Sequence, residues 1–337
     1  MRRLACVAGV ALWIFCPALA DAADVPLVDQ TKAVRAAVVK GLALLEKSSS
    51  QFVKRGGCDS CHHQYLPAAA LAVARQRGLV AGQSIHYMTF QDLPRERFLE
   101  VGAIPGGAGT VGYQLFSRAA LKQPADEYTD AMVHYLKATQ SADGRWQNTS
   151  NRPPLTYDDV TTTALCLRAL RIYAPQGQRT ECDRRVAQAA AWLREAQPAS
   201  TQERAFQLLG LEWAGAGGEV MPKAARGLLA EQRSDGGWSQ LPAMESDSYG
   251  TGMALVALHE GGRLPVSDAA YRRGAQFLLK TQLDDGSWHV KSRALPVQPY
   301  FESGYPHGND QWISAAGASW AAWALALTVE PVKLSSR

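Results

Sequence analysis

Three segments of the chain share one spacing, Gln-x3-Gly-x-Trp. They are YLKATQSADGRW with Gln140, Gly144 and Trp146, LLAEQRSDGGW with Gln232, Gly236 and Trp238, and FLLKTQLDDGSW with Gln282, Gly286 and Trp288. Each follows an amphipathic helical pattern: in AYRRGAQFLLKTQ, Ala275, Phe277, Leu278 and Leu279 fall within one apolar stripe. The Asp-Gly pair is expected to end that helix, because glycine tolerates a left-handed cap. The tryptophan then packs back over the turn, and the glutamine amide serves freed backbone groups.

A second, more apolar helix is expected after each turn, from Asp158, Asp247 and Asp310. Small residues crowd these segments, which suits an inner layer packed closely on both sides. Weaker copies occupy the rest: AAVVKGLALLEKSS, GTVGYQLFSRAALK, the pair RVAQAAAWLREAQ and TQERAFQLLGLEWAG, and an irregular outer segment near residues 88–101. The sum is about six outer-inner helix pairs at a period of roughly 50 residues. Such a repeat either stacks openly or closes into a ring. Six pairs suit closure, giving an all-α, single-domain (α/α)6 toroid over residues 21–337 with a central cavity.

The stretch RRGAQFLLKTQLDDGSW resembles the QW repeat of squalene-hopene and oxidosqualene cyclases. The resemblance covers nearly all of the mature chain. It implies the α/α toroid that those cyclases share with protein prenyltransferase β subunits, here as a single barrel. It also implies an acid motif, Asp-x-Asp-Asp, at the start of an inner helix. The nearest match is TYDD, where Asp158 and Asp159 fit and Thr156 replaces the first aspartate. Asp158 and Asp159 are therefore candidate catalytic acids, with helix capping as the competing role.

Residues 56–63 interrupt the repeat. Aligning HQYLPAAALAVA from His63 with DSYGTGMALVAL from Asp247 places His63 at an inner-helix cap where other repeats carry aspartate, and GGCDSC in the preceding turn. Cys58, Cys61 and His62 spell Cys-x-x-Cys-His, the attachment pattern of c-type haem. Two thiols at that spacing add to the two haem vinyl groups, and the adjacent imidazole reaches the iron. Composition alone predicts roughly 0.002 chance matches. Zinc held by Cys58, Cys61 and His62 or His63, and a Cys58–Cys61 disulfide, are the alternatives. The Asp-x-Cys plus His set of the prenyltransferase zinc is not found.

His307, in the long loop 289–310 with Tyr300, Phe301 and Tyr305, is the first candidate for a sixth iron ligand; His86 and Met88 are next. His134 and His259 read as structural. Asp159, Asp247, Asp310 and Glu302 are candidates to ring the barrel mouth around a cation or polar substrate, or else to cap helices.

Arg2 and Arg3 before the apolar run LACVAGVALWIFC and the small-residue site at Ala18 and Ala20 read as a secretory signal over residues 1–20. The expectation is an exported protein, periplasmic in a Gram-negative source, with no transmembrane segment in the mature chain. Haem attachment belongs to the same compartment. Cys166 and Cys182 would then meet an oxidising environment, as a disulfide or as buried thiols. The formal charge of +4 shows no basic block, which argues against nucleic acid. Two functions from different classes follow. One is a haem-bearing toroid that transfers electrons to a periplasmic redox partner or acts on a small molecule. The other is a terpenoid cyclase or prenyltransferase-like enzyme with an apolar substrate in the cavity. A non-catalytic lipid or peptide binding module is a third.

Overall fold

The computed structural model describes residues 27–82, 84, 85, 87, 94–296 and 298–332. The signal segment, His86 and Met88 lie outside these residues. Among them, twelve α-helices alternate between two layers. The outer helices are α1 (Leu27–Gly56), α3 (Arg95–Leu99), α5 (Glu127–Thr139), α7 (Arg179–Glu195), α9 (Val220–Leu229) and α11 (Ala269–Thr281). The inner ones are α2 (Leu66–Gln76), α4 (Gly107–Ala120), α6 (Asp159–Tyr173), α8 (Thr201–Trp213), α10 (Ser248–Glu260) and α12 (Gln311–Leu327). Each inner helix packs on the next, and α12 packs back on α2, so the ring closes. The outer helices sit over the inner grooves, with α1 spanning α12 and α2. A two-residue hairpin, Trp238–Ser239 with Ser246–Asp247, is the only sheet among the described residues.

Small residues let the inner backbones touch. A Cβ on Gly252 of α10 would lie 2.5 Å from the Trp320 carbonyl carbon of α12, and one on Gly112 of α4 would lie 2.9 Å from Leu165 Cβ of α6. Helix α12 is buried along almost its whole length, as an inner wall must be.

The repeated turns differ from the expectation in one respect. In the first and third repeats the outer helix ends at the residue before the glutamine, which is itself extended; in the second it ends at Leu229, three residues before Gln232; in each the glycine belongs to the turn that follows. The reason is a double task for the glutamine. Gln140 Nε2 donates to Gly144 O (2.8 Å) and to Arg185 O of the next outer helix (3.1 Å). Gln232 binds Gly236 O and Ala270 O in the same way, and Gln282 binds Gly286 O and Ala37 O. The tryptophan indole donates to a carbonyl in its own outer helix: Trp146 to Leu136 O, Trp238 to Leu228 O, Trp288 to Leu278 O. The glycines have φ near +90°, and a Cβ on Gly286 would lie 2.7 Å from Lys40 Cγ. Only glycine allows both the conformation and the approach.

The end of the barrel where the inner helices finish is filled by side chains. The Arg168 guanidinium lies 4.6 Å from the Phe116 ring and 4.7 Å from the Trp213 ring, and Trp323 Nε1 donates to Glu260 Oε1 at 3.0 Å. The opposite end, where the inner helices begin, is the mouth.

Trp288 is fully buried at the seam between last and first outer helices. Trp288→Ala should cost about 3–5 kcal/mol, read as a lower urea midpoint at unchanged m-value.

Candidate functional site

Helix α1 ends at Gly56, and Gly57, with a φ of +61°, turns the chain. Cys58 is exposed, and Ser60 then starts a new helical turn. Its Oγ accepts from His63 N (3.1 Å) while its N donates to Gln64 Oε1 (2.9 Å), a reciprocal cap. Residues Cys61–Tyr65 form a π turn, with Leu66 N bonded to Cys61 O, before α2 continues as α-helix. The cap is therefore Ser60, not His63. The wide turn adds a residue and begins the inner segment earlier than the gapless alignment with Asp247 implies. π turns of this kind concentrate at functional sites.

The turn drives two histidines into an aromatic pocket. The His62 ring stacks on Trp312 (centroids 5.7 Å, 7°) and meets Phe52 edge-on (5.1 Å). Its Nδ1 lies 2.5 Å from His63 Nδ1 and 3.2 Å from Ser60 Oγ. Among the described residues, nothing hydrogen-bonds its Nε2. Burial, with the Arg152 charge adding, lowers the His62 pKa to about 3. His63 stacks on Phe52 (4.7 Å), bonds Ser303 Oγ through Nε2 (2.9 Å), and is held well below the usual histidine range by burial and then by His62. Both rings are neutral at neutral pH.

Burial pushes the Cys61 thiol up to about 12, and raises Cys58 as well. Cys58, Cys61, Cys166 and Cys182 are all free thiols in this structure. Cys166 is buried on α6 with its Sγ 3.4 Å from Ala108 O, and Cys182 lies on outer helix α7. No three His, Cys, Asp or Glu side chains converge as metal ligands among the described residues. The two mouth histidines face each other through their Nδ1 atoms, 2.5 Å apart.

His307 sits elsewhere at the rim. Its Nε2 bonds Ser287 Oγ (2.9 Å) and its ring stacks on His289 (4.8 Å), which pairs with Asp310 at 2.8 Å. It connects to the histidine pair through Tyr305, whose ring lies 6.4 Å from His63 and 6.3 Å from His307. His134 is exposed on α5, and His259 Nδ1 engages Leu264 O.

The adjacent acids part company. Asp158 caps α6, accepting from Thr161 N (2.6 Å) and Thr161 Oγ1 (3.0 Å), and faces inward to Gln202 Nε2 (2.9 Å), whose Oε1 accepts from Tyr249 OH. Burial raises its pKa to about 6 against those hydrogen bonds. Asp159 accepts from Asn148 N and lies 3.5 Å from Arg145. Thr156, in the first acid position, is buried and bridges to Arg152 through backbone. Asp247 caps α10 and accepts from Gln240, while Asp310 holds His289 and Ser292 N, and Glu302 accepts from Tyr300 OH. Each mouth carboxylate thus has a local hydrogen-bonding role.

Sequence reading missed Ser60, Gln202, Ser303, Gln311 and Trp312. Ser60 follows an N-cap pattern that a serine three residues before His63 signals. Ser303 carries no local signal, since its partner His63 is 240 residues away in the chain, and Gln311 matters only through its bonds to Ser303.

No family model matches the sequence. Solved structures do. A protein from Actinoplanes aligns at 17% identity and a TM-score of 0.52, over 88% of this chain and 99% of that one. A variant of the type II terpene cyclase MstE from Scytonema, in complex with merosterolic acid A, aligns at 12% identity and 0.53, over 89% and 99%. The fold is a terpene-cyclase-like α/α toroid. A further MstE variant, with geranylgeranyl dihydroxybenzoate bound, aligns at 12% identity and 0.52, over 90% and 99%. At these identities the likeness is one of fold. No described helix of the toroid is long and apolar enough to cross a membrane.

Because the folded pKa of Asp158 lies above its unfolded value, the folded toroid binds the extra proton between about pH 4 and pH 6. Its share of stability is present at the acid end of that window and is lost as pH rises through it. Asp158→Asn should remove this downward slope from thermal unfolding midpoints recorded across the window.

Proposed function

We propose that the mouth is a covalent attachment site for c-type haem in an exported toroid, with Cys58 and Cys61 as thioether donors and His62 Nε2 as the iron ligand. The observation that carries the reading is the His62 imidazole. It is neutral, fixed through Nδ1, flanked by Trp312, and left with Nε2 unpartnered among the described residues, directly after two thiols at the attachment spacing. Bound haem would supply one-electron chemistry at this end of the barrel, for exchange with a redox partner or for work on a small molecule. The chain supplies the rest. Trp312 and Phe52 hold the imidazole plane, and exposed Arg152 beside the motif offers a cation to acidic ligand groups.

The test is expression of the full chain with the c-type haem maturation machinery. Haem that survives denaturation and a Soret band are expected. Cys58→Ser with Cys61→Ser should abolish the covalent link, and a wild-type chain without covalent haem rules the reading out.

The solved cyclase complexes support a second reading more directly than they support haem. Here an isoprenoid-like molecule occupies the barrel and Asp158 acts as acid. MstE binds geranylgeranyl dihydroxybenzoate in the same fold, and Asp158 is an inward-facing, protonatable carboxyl. Against it, burial makes Asp158 a weaker acid than an exposed carboxyl, whereas protonating an alkene asks for a stronger one. Thr156 also stands where the first acid of the motif belongs. Incubation with geranylgeranyl dihydroxybenzoate decides: turnover that Asp158→Asn abolishes establishes the cyclase reading, and unchanged substrate removes it.

A further inference from the structure

We propose that two hydrogen-bond branches together set the tautomer of His62, one that closure of the barrel brings from Gln311 and Ser303 of the last repeat to His63 of the first, and one that runs from Gln64 through Ser60. Gln311 Nε2 donates to Phe301 O (2.9 Å), which fixes the amide so that Oε1 faces Ser303. That oxygen accepts from both Ser303 N (2.7 Å) and Ser303 Oγ (2.5 Å), so the serine proton is committed to it. Ser303 Oγ can then only accept from His63 Nε2 at 2.9 Å, which places the His63 proton on Nε2 and leaves its Nδ1 bare. A bare His63 Nδ1, 2.5 Å from His62 Nδ1, requires the His62 proton to sit on Nδ1.

A second path reaches the same assignment. Gln64 Nε2 donates to Ser49 O (3.1 Å), so Gln64 Oε1 is the acceptor for Ser60 Oγ (2.9 Å). With its proton committed there, Ser60 Oγ also faces His62 Nδ1 as an acceptor, at 3.2 Å. Both neighbours of His62 Nδ1 are acceptors, and the lone pair is therefore on Nε2. Neutral imidazole Nε2 is the form that binds a transition-metal centre. His63, Ser303 and Gln311 are positioning residues that act through His62.

The identity of the metal centre rests on the haem reading, whereas the tautomer does not. The experiment uses the full haem-free chain at neutral pH with ¹⁵N-labelled histidine and long-range proton–nitrogen correlation. Wild type should show His62 protonated at Nδ1 alone. Gln311→Glu, which keeps an acceptor for Ser303, should retain that single form. Gln311→Leu combined with Ser60→Ala should lose it in favour of a mixture with the Nε2–H form. A wild-type His62 protonated at Nε2 overturns the relay without any variant, as does a double variant that folds and keeps the single form. Haem-negative chains with the Nδ1–H form would sink the haem reading alone, and covalent haem on a chain whose apo form is Nε2–H would sink the relay alone.

Discussion

The bond from Gln282 Nε2 to Ala37 O ties the last outer helix to the first across 245 positions of sequence. Gln140 and Gln232 make the same bond between successive outer helices, to Arg185 O and Ala270 O. The amide takes an orphan carbonyl of its own turn and a backbone carbonyl of the next helix, while the tryptophan indole satisfies a carbonyl one helical level down. Carbonyls that would otherwise face the interlayer space are thereby paired, which is the condition for burying helix ends. Glycine at φ near +90° lets the turn press against the neighbouring backbone. A turn that reaches only forward makes an open stack. When the last one reaches the first helix, the stack becomes a ring with fixed circumference.

Ring closure has a local consequence at the mouth. The π turn from the first repeat meets the 301–312 segment from the last, and the pocket around His62 and His63 draws Phe52 from one side and Phe301, Ser303, Tyr305 and Trp312 from the other. The site is a seam product, absent from either repeat alone. At the other end Arg168, Phe116, Trp213, Trp323 and Glu260 fill the axis. A positive guanidinium there suits six converging helix C-termini, just as Asp158 and Asp247 suit N-termini at the mouth.

The layered helices, the period and the buried tryptophans were legible in the sequence because they repeat, and a repeat reports its own geometry. The cysteine pair and His62 were legible because their chemistry is local in sequence. The start of α2 was not: a π turn and an α turn share the same apolar pattern, and the serine that decides between them lay outside the alignment with Asp247. The split between Asp158 and Asp159 was half visible, since capping was foreseen but the inward partner Gln202, 44 residues on, was not. His307 looked available to iron because loop histidines carry no pattern that reveals partners such as Ser287 and His289.

The groups that hydrogen-bond the histidine pair are uncharged, and this gives the network its direction. Histidine and serine exchange donor and acceptor roles by moving a proton or rotating a hydroxyl, so a chain made only of them has two equivalent settings. A primary amide cannot do this, because its nitrogen only donates and its oxygen only accepts. Both branches here end in such an amide: Gln311, pinned by its nitrogen to Phe301 O, and Gln64, pinned to Ser49 O. Each presents oxygen to a serine, each serine is thereby made an acceptor toward imidazole, and the two branches agree at His62 Nδ1. Burial keeps both rings neutral, so no extra proton satisfies the chain in the reverse sense. Two glutamines therefore do at the mouth what three others do at the outer turns: they convert fixed backbone carbonyls into a fixed orientation of the groups beyond them.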